Sequence, residues 1–295
     1  MTTDQKPSLF AFLIVGVAPL CWAGNIVLGK GVASLIPPVA LAFWRWAVAF
    51  LILLPLTWPY VKRDWHAALA GWKMICLLAF FGVTTFNTLL YLSVHTTTAI
   101  NVALIQTTMP AVIIIISLIV YSERITWLQT AGVMLCMTGA GVVVLKGSWR
   151  ALMDMALVQG DLVMLLAVVL YALYSALLPK RPGIHPFSFL TYTFGVGCLG
   201  LLPVYIWELV SFGSFEVTPK TLGSIAYVSV FPSIAAYFCW NRGVAVIGAN
   251  RTGLFINLIP MFTAILAILF LDESLKIYHL VGMGLILVGF TLFNR

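Results

Sequence analysis

Apolar stretches of roughly 20 residues, the length that crosses a hydrocarbon core of about 30 Å as helix, recur along the whole chain. They fall near 9–29, 39–58, 73–92, 98–120, 126–145, 159–178, 187–207, 222–242, 249–271 and 275–294. None alternates apolar and polar positions with the period of two that a membrane-barrel strand requires, so each is predicted to be a helix. The expected fold is all-α and integral to the membrane, a bundle of ten transmembrane helices.

Two of the spans share an unusual pattern. Residues 109–123, MPAVIIIISLIVYSE, open on Pro110 and close on Glu123, and residues 259–273, IPMFTAILAILFLDE, place Pro260 and Glu273 each 150 positions later. The correspondence extends without a gap from 81–145 onto 231–295, pairing Gly132 with Gly282 and Gly139 with Gly289. Only ten of 65 positions are identical, so the weight lies on the coincidence of residues with special backbone or charge roles. Upstream, Pro38 matches Pro186 and Pro55 matches Pro203, both 148 apart. The chain divides into two five-helix halves, 1–150 and 151–295. Because five is odd, the second half enters the membrane from the opposite side, giving inverted repeats about an axis in the membrane plane. Secondary transporters commonly use that symmetry to interconvert outward-open and inward-open packings by alternating access.

A proline in mid-helix leaves the carbonyl four residues earlier without its partner, here that of Gln106 and of Ile256. Within a bilayer this is tolerated where protein or a wet cavity satisfies the freed group, so Pro110 and Pro260 are expected to mark a helix break or hinge beside a central site; simple packing kinks are the alternative. Glu123 and Glu273 are read as structural turn residues, with Thr126-x-x-Gln129 forming a capping box for the fifth helix.

Composition sharpens the class. The chain is 62% hydrophobic and 8% charged, with a mean hydropathy of +1.07, whereas a soluble domain is about a quarter charged. The first span lacks a small-residue cleavage site and is expected to be retained. All five cysteines lie within spans, which leaves no loop disulfide framework and no metal-ligand spacing. The net charge of +7 comes from basic residues scattered over short loops, not gathered on a face, which argues against a nucleic-acid partner. With a cytoplasmic N-terminus, ten Lys and Arg fall on the cytoplasmic side and five on the other, and Arg45 remains within the membrane. Both termini are therefore expected in the cytoplasm, and the short loops suggest a bacterial inner membrane.

Polar side chains in a bilayer turn inward, so helical spacing marks the lumen. Thr84, Asn87 and Tyr91 share a face of the third helix with Thr88; Tyr237 and Asn241 continue from Ser233 in the eighth, beside Trp240. The sixth adds Tyr171, Tyr174 and Ser175; the first Trp22 and Asn25; the fourth Asn101 and Gln106; the ninth Asn257. An aromatic and amide lining suits a zwitterionic guest with an apolar side chain, which points to amino acids, aromatic or other neutral ones. Arg45 sits roughly 9 Å along the second helix. It could meet a substrate carboxylate, but bonding to headgroups or neighbouring carbonyls is the preferred reading.

Arg45-Trp46-Ala47, the mid-helix prolines of the fourth and ninth spans, and the glutamate, capping segment and paired glycines that follow resemble the EamA-type branch of the drug/metabolite transporter (DMT) superfamily, over nearly the whole chain. WAGNIVLGKGV at 22–32 and YALYSALLPKR at 171–181 resemble the YddG-type exporters of aromatic amino acids. The resemblance implies ten helices in two EamA repeats, cytoplasmic termini, alternating access and export of small metabolites without ATP. No phosphate-cradling GxxxxGK[ST] loop is present. A departure is that none of the nine acids lies deep in a span, so an intramembrane carboxylate relay is hard to build. Facilitated diffusion, exchange, and proton coupling through His95 or a terminal acid stay open. A membrane enzyme is disfavoured, because His66, His95, His185 and His279 are scattered and no HExxH or nucleophile-base pair occurs; a channel lacks a selectivity motif. A drug or nucleotide-sugar carrier on the same fold is the nearer alternative. No cofactor or metal is expected, and the partners are a small-molecule substrate and membrane lipids, with the protein acting as a monomer.

Overall fold

The computed structural model describes residues 9–97, 99–123, 125–153, 158–270 and 276–294. Ten apolar helices organise them: α1 (Leu9–Val32), α2 (Pro38–Ala70), α3 (Trp72–Thr96), α4 (99–121), α5 (Trp127–Val144), α6 (Gln159–Lys180), α7 (Pro186–Phe212), α8 (Pro219–Ile247), α9 (249–270) and α10 (Ile277–Phe293). Eight of them qualify as membrane spans on length and composition alone; the 17-residue α10 is shorter. A five-residue helix, Trp149–Met153, lies between the halves. No strand occurs among the described residues. Glu273 and the side chain of Asn101 lie outside the described residues.

Helix boundaries follow local chemistry. The box at Thr126 is formed: its side chain accepts from Gln129 N and the Gln129 side chain accepts from Thr126 N, satisfying two orphan donors at the start of α5. Prolines open α2 and α7, where the missing N–H costs nothing. Helix α2 runs twelve residues beyond the apolar window 39–58, through Lys62, Arg63 and Asp64. At 33 residues it is about 50 Å long, more than a hydrocarbon core requires, so hydropathy registers only its inner part. Its outer end is held by Asp64.

That carboxylate introduces the symmetry of the bundle. Asp64, near the end of α2, accepts from His185 N at 2.8 Å and Ser188 Oγ at 2.7 Å at the start of α7. At the opposite end Glu208 of α7 accepts from Val39 N at 3.0 Å and Ala40 N at 2.6 Å at the start of α2. The two helices thus run antiparallel and each supplies the acid that caps its repeat mate, a charge-assisted use of the positive helix end. Helices α5 and α10 cross in the same manner. Gly132 approaches Gly289 and Gly139 approaches Gly282, close enough that a Cβ on any of the four would sit 2.5–2.7 Å from the facing glycine carbonyl. Repeat mates that meet antiparallel require a two-fold axis perpendicular to them, and for membrane-crossing helices that axis lies in the membrane plane. The remaining packing obeys the same exchange: α3 lies on α6 as α8 lies on α1, and α4 on α6 as α9 on α1. The fold is that of two inverted five-helix repeats.

Both repeats carry the same defect. A π-helical turn spans Phe80–Thr85 in α3 and another spans Val230–Ala235 in α8, again 150 apart. Such bulges break the regular ladder and free carbonyls for other donors. In α8 the proline at 232, with no N–H to give, is part of the turn.

Candidate functional site

The two π turns face the centre, and each offers a carbonyl to a side chain from the other half. Gly82 O accepts from the Tyr237 hydroxyl. Pro232 O, its mate at 150, accepts from Trp22 Nε1 at 3.1 Å and from Arg45 Nη2 at 2.8 Å. The defects therefore stitch the halves together at the level of Arg45.

Arg45 is wholly buried. Its Nε donates to Ser233 Oγ at 2.6 Å, and Nη1 lies 2.9 Å from Asn87 Oδ1, 3.1 Å from the Tyr91 hydroxyl and 3.3 Å from Asn25 Oδ1. The Tyr91 hydroxyl donates in turn to Asn25 Oδ1 at 2.9 Å. Every partner is neutral. Among the described residues the one ion pair is Arg63 with Asp64, so no carboxylate balances the guanidinium. A buried cation is ordinarily paired, and an ionisable residue within the membrane marks a functional position by default.

Beside this cluster lies a cavity of about 20 Å³ lined by Trp22, Asn25, Phe86, Asn87, Gln106 and Tyr171 together with Met109, Ile256 and Ile259. It has room for about one water, so the halves must part to admit a larger guest. Trp22 packs edge-on against Tyr171 at 5.7 Å and tilted against Trp240 at 5.1 Å, while Tyr171 meets Tyr174 at 5.3 Å. Polar atoms on its wall lack a hydrogen-bond partner, Gln106 Nε2 and the Tyr171 hydroxyl, as do both side-chain polar atoms of Asn257, next in sequence to the lining Ile256. Each costs about 1–3 kcal/mol if left dry. Unpaired donors around a cavity are the arrangement that a polar guest, or water before it, would complete.

The residues named from spacing are distributed as follows. Trp22, Asn25, Asn87, Gln106 and Tyr171 line the cavity; Tyr91 joins through Arg45. Tyr174 donates to Asn241 Oδ1 at 2.6 Å and Trp240 Nε1 to Ser175 Oγ at 3.1 Å, forming a buried aromatic layer with Tyr237. Asn257 is fully buried in α9. Thr84 lies apart, its hydroxyl donating to Gly197 O of α7 at 3.2 Å. Spacing did not pick out the apolar wall of Phe86, Met109, Ile256 and Ile259, nor the central place of Arg45, whose lone charge was the available signal.

Helices α4 and α9 are interrupted at matching depth. The α-helix of α4 stops at Thr107 and resumes at Met109, and α9 passes through a 3-10 segment, Phe255–Leu258, before Ile259. Pro110 and Pro260 stand just beyond these breaks, and Gln106, Met109, Ile256 and Ile259 bring both interruptions to the cavity wall. Glu123 is exposed at the end of α4 and its Oε2 accepts from Asn250 Nδ2 at 3.0 Å, an amide of the other half.

The EamA-like transporter family matches the chain twice, over residues 9–145 and 158–295. The transporter YyaM of Bacillus subtilis (strain 168) is 27% identical over 89% of this chain and 86% of its own length. A transporter of Archaeoglobus fulgidus is 28% identical over 94% of each chain. A protein of Streptantibioticus cattleyicolor named "Probable terminal-alkyne amino-acid exporter" is 25% identical over 89% of each. A solved crystal structure superposes with a TM-score of 0.77 over 96% of both chains at 15% identity, which shows the shared fold.

Proposed function

Because the chain belongs to the EamA-like transporter family, we propose that it is a secondary exporter of amino acids, aromatic or other neutral ones, whose carboxylate docks on Arg45. The observation that carries this reading is a fully buried guanidinium held by neutral groups alone. A substrate carboxylate would supply the missing negative charge in bidentate geometry, by displacing the Asn25 and Asn87 amides. The rings of Trp22, Phe86 and Tyr171 receive the apolar side chain, and the unpaired Gln106 and Asn257 amides supply acceptors and donors for the ammonium end and for water. Support from outside the chain is the exporter of Streptantibioticus cattleyicolor, whose name includes an amino acid. Aromatic cargo also agrees with the resemblance to YddG-type exporters.

In this reading the halves 1–150 and 151–295 rock about the central site, with α4 and α9 bending at Pro110 and Pro260. Both termini face the cytoplasm of a bacterial inner membrane, as the excess of basic loop residues on that side favours. A nucleotide-sugar cargo is disfavoured because its diphosphate would call for more cations than Arg45 at the centre. Transport requires no bond-making chemistry.

Counterflow in proteoliposomes tests the assignment. Vesicles preloaded with unlabelled L-phenylalanine should accumulate the tritiated amino acid transiently above protein-free vesicles, and L-tryptophan and L-leucine should compete. 2-Phenylethylamine, which lacks the carboxylate, should not. Absence of flux for every neutral amino acid, or equal competition by the amine, removes the proposal.

A further inference from the structure

A second cavity lies between α6, α7 and α8, on the far side of the Tyr174–Asn241 pair from the central one. It measures about 10 Å³, so like the central one it must open to take a guest, and it is lined by Arg181, Arg242, Asn241, Phe189 and Phe238. The polar side chains on it are those of Arg181, Arg242 and Asn241. Asn241 is 95% buried, and with its Oδ1 engaged by the Tyr174 hydroxyl its Nδ2 has no partner. Arg181 extends over the Phe189 ring at 5.7 Å. Neither arginine forms an ion pair among the described residues. Arg181 is half-buried and Arg242 exposed; burial first, with the Arg242 charge adding to it, holds Arg181 below the usual arginine range.

Two guanidinium groups and a free amide N–H around a recess call for an oxyanion, and the flanking rings, with Phe187 stacked on Phe238 at 4.9 Å, call for an apolar body attached to it. The partition is thin: Tyr174, bonded to Asn241 on this side, packs on Tyr171 of the central cavity. From these features we infer that Arg181, Arg242 and Asn241 form a second carboxylate station, which captures the substrate at the end of the bundle bearing the α6–α7 turn before it passes Tyr174 to Arg45. The step to Arg45 rests on the amino-acid reading above; the station itself rests on its own donors. An anionic lipid headgroup would present the same oxyanion chemistry, so the source must be separated by experiment.

The test is equilibrium binding of tritiated L-phenylalanine to the full chain in nanodiscs of phosphatidylcholine. Arg45→Gln is expected to remove the tighter class of binding and leave a weaker one, displaced by 3-phenylpropionate and not by 2-phenylethylamine. Adding Arg181→Gln and Arg242→Gln should weaken that residual class at least ~10-fold, the loss of about one charge-assisted contact, and Arg181→Lys with Arg242→Lys should retain most of it. Residual binding indifferent to both arginines, or no residual binding at all, overturns the station. So does a result in which the glutamine pair alters only the retention of phosphatidylglycerol, since the arginines would then hold lipid. If Arg45→Gln binds as wild type does, it is the central assignment that fails, and the arginine pair is still judged by its own substitutions.

Discussion

The Arg45→Gln protein should insert and elute as wild type does, yet transport L-phenylalanine at least ~100-fold less efficiently, since two charge-assisted hydrogen bonds in a dry site are together worth about 3 kcal/mol or more. Glutamine places its amide nitrogen where Arg45 Nε now donates to Ser233 Oγ and leaves the partners of Nη1 and Nη2, Asn87 Oδ1 and Pro232 O, to water. Arg45→Lys should fall between the two, because an ammonium retains the charge and lacks the fork. Flux measured against folded protein recovered from the membrane separates the roles. Unchanged flux per folded molecule, accompanied by a fall in yield, would make Arg45 a packing residue.

The second large effect is expected far from the site. A Cβ placed on Gly289 would lie 2.5 Å from Gly132 O, 2.6 Å from Cys136 Sγ and 2.8 Å from Cys136 N. Backbone cannot move aside as a side chain can, so Gly289→Leu must force α5 and α10 apart. Close glycine approach is what holds helices together where lipid offers no hydrophobic drive, and overpacking of this kind costs about 1–3 kcal/mol or more. Size-exclusion profiles should show loss of the monodisperse peak for Gly289→Leu and for Gly139→Leu, whose Cβ meets Gly282 O at 2.6 Å. Gly284→Ala, which meets open space, should leave the profile unchanged.

That glycine crossing was half legible in the sequence. The 150-residue register aligns Gly132 with Gly282 and Gly139 with Gly289, but the contacts pair each glycine with the mate of the other, a swap that only the two-fold axis dictates. The ten helices were legible because a bilayer forces long apolar runs. The full length of α2 was not, because Lys62, Arg63 and Asp64 lower its hydropathy while Asp64 fixes its end through residues more than 120 positions away.

The π turns left no trace in composition beyond Pro232. They explain why some lumen positions followed the 3.6-residue count and others did not: a π turn takes up one extra residue, so a face counted across it loses phase by about 100°. Thr84, inside the bulge, turns to Gly197, whereas Asn87 and Tyr91, beyond it, turn to Arg45. Arg45 itself stood out as a solitary intramembrane charge. Its partners come from α1, α3 and α8, and no single stretch of sequence shows that Asn25, Asn87, Tyr91 and Ser233 converge on it without an acid among them.

The most direct measurement of a central pocket served in turn from both faces is the reactivity of one cavity residue. Gln106→Cys, in a background whose five native cysteines are replaced, places a thiol on the cavity wall. A membrane-impermeant thiol reagent should modify it from either side of oriented vesicles, and L-phenylalanine should slow both reactions. Modification from one face alone, with and without the amino acid, would contradict alternating access at this site.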